Sequence, residues 1–154
     1  MILKNLKRGF SEGGLKLVDY LLIQRKLAEL DTYLEQISQY RSISVQNYRA
    51  DWKVQRIIER TLQLMIEICL DIASHIISDR NLRPPVTYAD TFVVLEENGL
   101  IDSELSEKLQ KMARFRNILV HHYERIDPEI VVGILRKDLD DFRRFKETLL
   151  ERLK

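Results

Sequence analysis

The chain has 154 residues, 45% of them hydrophobic, which is enough material for one domain with a sizeable core. Its 25 basic residues nearly balance 24 acidic ones, so the formal net charge is only +1. That balance excludes a protein that coats nucleic acid through overall charge, although it leaves room for a local basic cleft. The single cysteine, Cys69, lies in an apolar run and is predicted to pack in the core of a protein from a reducing compartment.

Helical periodicity dominates the first two thirds of the chain. An irregular arm over 1–17 has no convincing signal-peptide pattern, and a first amphipathic helix is predicted from residue 18 to about residue 40. The polar stretch RSISVQN (41–47) breaks the pattern, and a second long helix follows over about 48–79. Paired prolines in NLRPPVT (81–87) end that helix, and a short helix over 88–97 stops at Asn98–Gly99.

Two further long helices are predicted in the last third of the chain. Asp102 or Ser103 caps the first of them, and Asp127–Pro128–Glu129 supplies the cap, first-turn proline and first-turn acid of the second. The apolar positions of the helices include Leu21, Ile57 and Ile130, which are expected to face the core. Four long helices and one short helix, without strand alternation, predict an all-α bundle that forms a single domain over 1–154.

No run approaches the about 18 consecutive apolar residues that a membrane span needs, so a cytoplasmic location is predicted. The second long helix does carry a polar row at four-residue spacing, a pattern that suggests metal ligands. Its members are Glu59, Gln63, Glu67, Asp71, His75 and Asp79. Di-iron bundles use Glu-x-x-His pairs, however, and the chain has none. A four-residue step also drifts by about 40° around a helix, so a polar stripe is the favoured interpretation and no metal or cofactor is predicted.

Residues 116–123 read RNILVHHY and gather five polar or aromatic side chains, including two of the three histidines. Asn117 and His121 are four residues apart and share a helix face, and Arg116 and Tyr123 also nearly align. Arg116 and His121 diverge by roughly 140° on a regular helix. They converge on one small group only if the helix loosens near its end or if a second subunit completes the site.

These side-chain types suit cleavage of a phosphodiester without a metal. An arginine holds phosphate with paired N–H groups, and a histidine moves a proton to or from a ribose 2′-hydroxyl or a leaving oxygen near neutral pH. From the spacing alone, a crowded polar helix end is the favoured interpretation. Arg114 with His121, or Arg116 with His122, fits the spacing nearly as well.

The pattern R-N-x-x-x-H-x-Y near the end of a penultimate long helix resembles the motif of the HEPN superfamily, and more narrowly that of the HepT-like toxins. The likeness extends to QRIIERTLQLMIEICLDIASHIIS, to RPPVTYADTFVVLEENGLI and to FRNILVHHYERIDPEIVVGIL. It covers the chain from about Val18 to the C-terminus, which leaves the arm over 1–17 as an addition.

The resemblance implies a HEPN-like helical bundle that acts as a metal-independent endoribonuclease, with RNA as substrate. It implies a homodimer in which motif copies from both subunits face one cleft. Arg116 and His121 are then the catalytic pair, and Asn117 is the supporting polar residue. Tyr123 is the residue to which an MntA-like nucleotidyltransferase antitoxin transfers AMP, and its phenol is expected to open into the cleft beside Arg116. Arg114 stands where a small residue is expected, which makes the local surface more basic.

Two other classes of function remain open from the sequence. HEPN-like bundles also serve as non-catalytic adaptors that bind nucleotides or proteins, although the complete arginine–histidine pair favours the enzyme. A metal-carboxylate bundle built on the polar row would require bound iron or manganese.

Overall fold

The computed structural model describes residues 17–153, so the predicted arm, apart from its last residue, lies outside the described residues. Every regular element in the described range is helical, which confirms the all-α class. A 3-10 turn, Tyr123–Arg125, follows the fifth helix, and a π-helical turn, Ile134–Asp138, separates the last two. The helices are α1 (Leu17–Ser38), α2 (Val45–Ala50), α3 (Trp52–Asp79), α4 (Tyr88–Glu97), α5 (Ser103–His121), α6 (Pro128–Gly133) and α7 (Leu139–Arg152).

The predicted boundary between the first two long helices is wrong. A short helix, α2, occupies part of the expected polar break, and the long helix α3 begins only at Trp52. The cause is local capping: Ser44 Oγ accepts the Asn47 N–H at 3.0 Å, and Asp51 Oδ1 then accepts the Lys53 N–H at 3.0 Å. Two cap residues so close together start two helices where apolar periodicity indicates one.

The other predicted helix ends are confirmed. Asp102 caps α5, since its Oδ1 accepts the Leu105 N–H at 2.8 Å. Asp127 caps α6 with Pro128 in the first turn, and Gly99 adopts a positive φ of 72° after α4. The last helix, predicted to be continuous, is interrupted by the π-helical turn at 134–138. Because a π-turn adds a residue, it resets the helix phase so that the apolar residues of α7 face the core.

Helix α3 is the centre of the bundle and packs against α1, α2, α4, α5 and α7. Cys69 on this helix is buried, as predicted. By length and composition α3 could cross a membrane, but 56% of the qualifying stretch is buried inside the bundle, as in the core helix of a globular domain. Leu21, Ile57 and Ile130 are exposed, so their assignment to the core is wrong. Ile57 is exposed although the adjacent Ile58 is fully buried, because the neighbouring helices cover only part of the broad apolar face of α3.

Candidate active site

The guanidinium of Arg116 is held by residues from two other helices. On α3, Glu67 Oε1 accepts hydrogen bonds from Arg116 Nε at 3.1 Å and from Nη2 at 3.0 Å. On α4, the Tyr88 ring lies against the guanidinium, with 4.9 Å from Cζ to the ring centroid. The Arg116 side chain is only 15% exposed as a result. The motif arginine is therefore a fixed group, which the surrounding bundle orients before any ligand binds.

Arg116 keeps part of its hydrogen-bonding capacity. Its Nη1 donates to Asn117 Oδ1 at 3.3 Å, so three of the five N–H groups have partners among residues 17–153. Gln63 Nε2 also donates to Glu67 Oε1, at 3.1 Å, and fixes the carboxylate that faces the arginine. The two remaining N–H groups of Arg116 can bind an anion such as phosphate.

Asn117 and His121 line one open cleft of about 570 Å³, as their four-residue spacing predicts. The cleft lies between the C-terminal end of α5 and the segment that joins α3 to α4. His122, one of the near alternatives in the motif, lines the same cleft. The remaining lining residues are Ser74, Pro85, Val86, Thr87, Tyr88 and Thr91.

Arg116 and His121 do not converge within one chain. Arg116 lines a separate, smaller pocket with Glu67 and Asp71, and Tyr88 lines both that pocket and the His121 cleft. Helix α5 stays regular to His121, and the His122 N–H still bonds the Ile118 carbonyl at 2.9 Å. The loosened helix end that would bring the pair together is therefore not present.

Tyr123 and His121 line different clefts. Tyr123 is 68% exposed, belongs to the 3-10 turn, and lines a groove of about 400 Å³ with Arg56 and Arg60 of α3. Arg116 does not line this groove. The expectation that the phenol opens into a cleft beside Arg116 is thus wrong for the single chain, because α5 ends before Tyr123 and the ring instead lines the groove with Arg56 and Arg60.

The polar row on α3 separates into individual pairs. Glu59 accepts from the Tyr48 hydroxyl at 2.8 Å, Glu67 binds Arg116, and Asp71 pairs with Lys26 at 3.3 Å. Within residues 17–153, no three His, Cys, Asp or Glu side chains are grouped as a metal site requires. Three of the six members of the row therefore have separate partners on α1, α2 and α5.

The sequence did not single out Arg83, which fixes the segment between α3 and α4. Its Nη1 and Nη2 donate to the two carboxylate oxygens of Asp90 at 2.8 and 2.9 Å, and its Nε and Nη2 donate to Glu97 at 2.9 Å each. Asp90 also accepts the Val86 N–H at 2.9 Å. These bonds, led by that from Arg83, lower the pKa of the Asp90 carboxyl to about 2, so it stays charged at neutral pH. The sequence signal for this contact was the seven-residue spacing of Asp90 and Glu97, which places both carboxylates on one face of α4.

The fold and the motif define a helical bundle of the HEPN class, with R-N-x-x-x-H-x-Y at the C-terminal end of α5. Residues 30–149 match the sequence profile described as "Ribonuclease HepT-like", and the chain belongs to this family. The chain is 34% identical over 128 residues to the mRNA nuclease HepT of Shewanella oneidensis, which covers 83% of this chain and 96% of that protein. It is 30% identical over 114 residues to the tRNA nuclease HepT of Aphanizomenon flos-aquae, across 74% and 78% of the two chains.

Solved structures agree with this assignment. A tri-AMPylated HEPN toxin of Shewanella oneidensis, in complex with an MNT antitoxin, has a TM-score of 0.77 at 32% identity. The match covers 84% of this chain and 96% of that one. A toxin–antitoxin structure with AMP-PNP gives a TM-score of 0.78 at 32% identity, over 84% and 97% of the two chains. The resemblance to the HepT-like toxins that the motif indicates is therefore confirmed.

Proposed function

We propose that this protein is the endoribonuclease toxin of a toxin–antitoxin pair and that it cleaves RNA without a metal ion. The observation that carries the proposal is Arg116, which is held in place with two N–H groups that have no partner among residues 17–153. It is next to Asn117 and lies on the same helix as His121. Membership of the HepT-like ribonuclease family supports the reaction class, as do relatives that are named mRNA and tRNA nucleases.

The proposed reaction is an internal transesterification of RNA. The ribose 2′-oxygen forms a bond to phosphorus while the bond from phosphorus to the 5′-oxygen breaks. His121 takes the proton of the 2′-hydroxyl or supplies one to the leaving 5′-oxygen, and Arg116 binds the oxygens on which negative charge grows. Asn117 orients Arg116 through its Oδ1. The products are a 2′,3′-cyclic phosphate and a 5′-hydroxyl end, and the step needs neither a metal ion nor a cofactor.

We further propose that the active form is a homodimer. Within one chain, Arg116 and His121 line different pockets, and α5 does not loosen. A second copy related by a two-fold axis brings another arginine and another histidine to the same place, which also provides one histidine for each proton transfer. Sedimentation at micromolar concentration is expected to give twice the mass of the chain, and an active monomer would contradict this part of the proposal.

Incubation of the purified chain with total RNA in excess EDTA tests the proposed activity directly. Cleavage is expected to continue, and the new ends should be 2′,3′-cyclic phosphates and 5′-hydroxyls. Cleavage that stops in EDTA and returns with magnesium or manganese would contradict metal independence. A chain that binds RNA or nucleotides without cutting would support the adaptor alternative.

Tyr123 is the proposed site of neutralisation, by transfer of AMP from ATP by an MntA-like nucleotidyltransferase antitoxin. Its exposed hydroxyl, outside the regular part of α5, is accessible to a modifying enzyme. An AMP group there adds bulk and a negative phosphodiester to the motif segment, where it repels the RNA backbone. RNA and ATP as substrates agree with the predicted cytoplasmic location.

The Tyr123→Phe variant is expected to keep most of its ribonuclease activity but to escape neutralisation. Only the acceptor oxygen is lost, and the ring still lines its groove. The test incubates the variant with a cognate MntA-like nucleotidyltransferase, ATP and magnesium, followed by intact-mass measurement and an RNA cleavage assay. Tyr33→Phe, on α1, is the control and should be modified and silenced like the wild type. AMP adducts that persist in Tyr123→Phe would disprove the assignment.

A further inference from the structure

The cleft beside His121 has the chemistry of a site for a flat, uncharged ligand. Two of the exposed apolar side chains of the described chain, Val86 at 85% and Tyr88 at 50% exposure, lie on its wall together with Pro85. Hydroxyl and amide groups from Ser74 and Asn117 supply polar contacts at the same cleft. An open cleft of about 570 Å³ that combines an apolar wall with several polar groups has the size and chemistry of a small-ligand site.

Charge separates this cleft from the phosphate site. None of the residues that line it is Lys, Arg, Asp or Glu, and Arg116 lines a different pocket, which shares Tyr88 with this cleft. A phosphate group bound in the cleft would thus lack a permanent cationic partner. A nucleobase has the opposite needs: apolar surface against its faces and hydrogen-bond partners at its edge.

The wall of the cleft is rigid before any ligand arrives. Arg83 connects the start of the segment to Asp90 and Glu97 on α4 through four hydrogen bonds. Asp90 holds the Val86 N–H, and Thr87 Oγ1 accepts the Asp90 N–H at 3.0 Å to cap α4. A wall fixed in this way loses little conformational freedom on binding, which favours recognition of a specific shape.

We propose that this cleft is a base-binding subsite, in which Val86 and Tyr88 pack against one nucleobase next to the scissile phosphate and Ser74 contacts its edge. The inference rests on the proposed ribonuclease function, because His121 in the same cleft is taken to act on the ribose to which a flanking base is attached. The subsite, rather than the phosphate contacts of Arg116, then selects the sequence at which RNA is cut.

The test changes Val86, whose exposure makes a folding defect the least expected result. Val86→Ser should raise the KM for a short RNA about 3- to 10-fold and leave kcat nearly unchanged, as expected when one partial apolar contact is lost. Val86→Trp should change the distribution of cut sites along a mixed-sequence RNA, since a larger ring alters which base fits. Ser74→Ala should also reduce the difference in cleavage rate between RNA substrates that carry different bases at the subsite.

A binding measurement separates this proposal from the proposed activity. Four short RNA oligonucleotides that differ in one base, each with a single 2′-deoxy position at the cut site, bind without being cleaved. The wild type should discriminate among them, and Val86→Ser should discriminate less. Ile130→Ser, which removes an exposed apolar side chain from another groove, is the control and should match the wild type.

The outcomes distinguish a failure of the base-binding subsite from a failure of the proposed ribonuclease function. A wild type that cuts RNA, with unchanged cut sites and affinities in both Val86 variants, overturns the subsite alone. A wild type that cuts no RNA overturns the proposed function first. Equal changes in Ile130→Ser, or loss of the dimer in Val86→Ser, would show that the cleft is not a base site but a surface with a general or intersubunit role.

Discussion

His121→Ala is expected to lower the rate of RNA cleavage by about 10²–10⁴-fold, the usual loss when a general acid or base is removed. The fold should not change, because His121 is exposed at the last position of α5 and contributes nothing to the core. Single-turnover cleavage of a labelled RNA measures the effect, and thermal melting of the variant shows that the bundle is intact.

His122→Ala is a close control for this experiment. His122 is the neighbouring residue, is also exposed and lines the same cleft, but it lies outside the R-N-x-x-x-H-x-Y pattern. Its ring nitrogen Nδ1 lies 3.8 Å from a Glu124 carboxylate oxygen, which gives it a separate partner. Its removal should cost only a few-fold in rate. An inactive His122→Ala beside an active His121→Ala would reverse the assignment of the catalytic histidine.

Arg116→Ala is expected to lower cleavage by at least about 10²–10³-fold, the range seen when one preorganised donor to a developing charge is lost. A second effect acts in the same direction. Without the guanidinium, the Glu67 carboxylate loses two hydrogen bonds and presents an uncompensated negative charge at the pocket. Some loss of thermal stability should accompany the change, since the pair is largely shielded from solvent.

A double variant, Arg116→Ala with Glu67→Gln, separates these two effects. If the bare carboxylate merely repels RNA, the neutral glutamine restores cleavage. A direct role of Arg116 at the phosphate predicts that the double variant stays inactive even though its binding of RNA recovers. Arg114→Ala, two residues earlier on α5 and exposed, is the control for loss of positive charge and should weaken binding only modestly. Activity restored in the double variant would remove Arg116 from the proposed chemistry.

Much of the helical layout could be predicted because its signals are local. Asp102, Asp127–Pro128 and Asn98–Gly99 act on the backbone within one turn, so their sequence positions are enough to end or begin a helix. Where the prediction failed, at Ser44 and Asp51, the signal was also local, but Ser44 lies in the polar stretch that was predicted to be a break and Asp51 lies inside the predicted second helix. The exposure of Ile57 has another origin, because periodicity does not say which side of a broad apolar face the neighbouring helices cover.

The sequence by itself determined an all-α bundle, its family motif and the shared face of Asn117 and His121. Only the tertiary structure decided that Arg116 pairs with Glu67, which is 49 positions away, and that Tyr88 lines both the Arg116 pocket and the His121 cleft. The same packing directs Tyr123 toward Arg56 and Arg60 rather than toward Arg116. The reason is physical: contacts within a helix follow from a fixed 3.6-residue repeat, whereas contacts between helices depend on rotations and crossing angles that the whole core sets together.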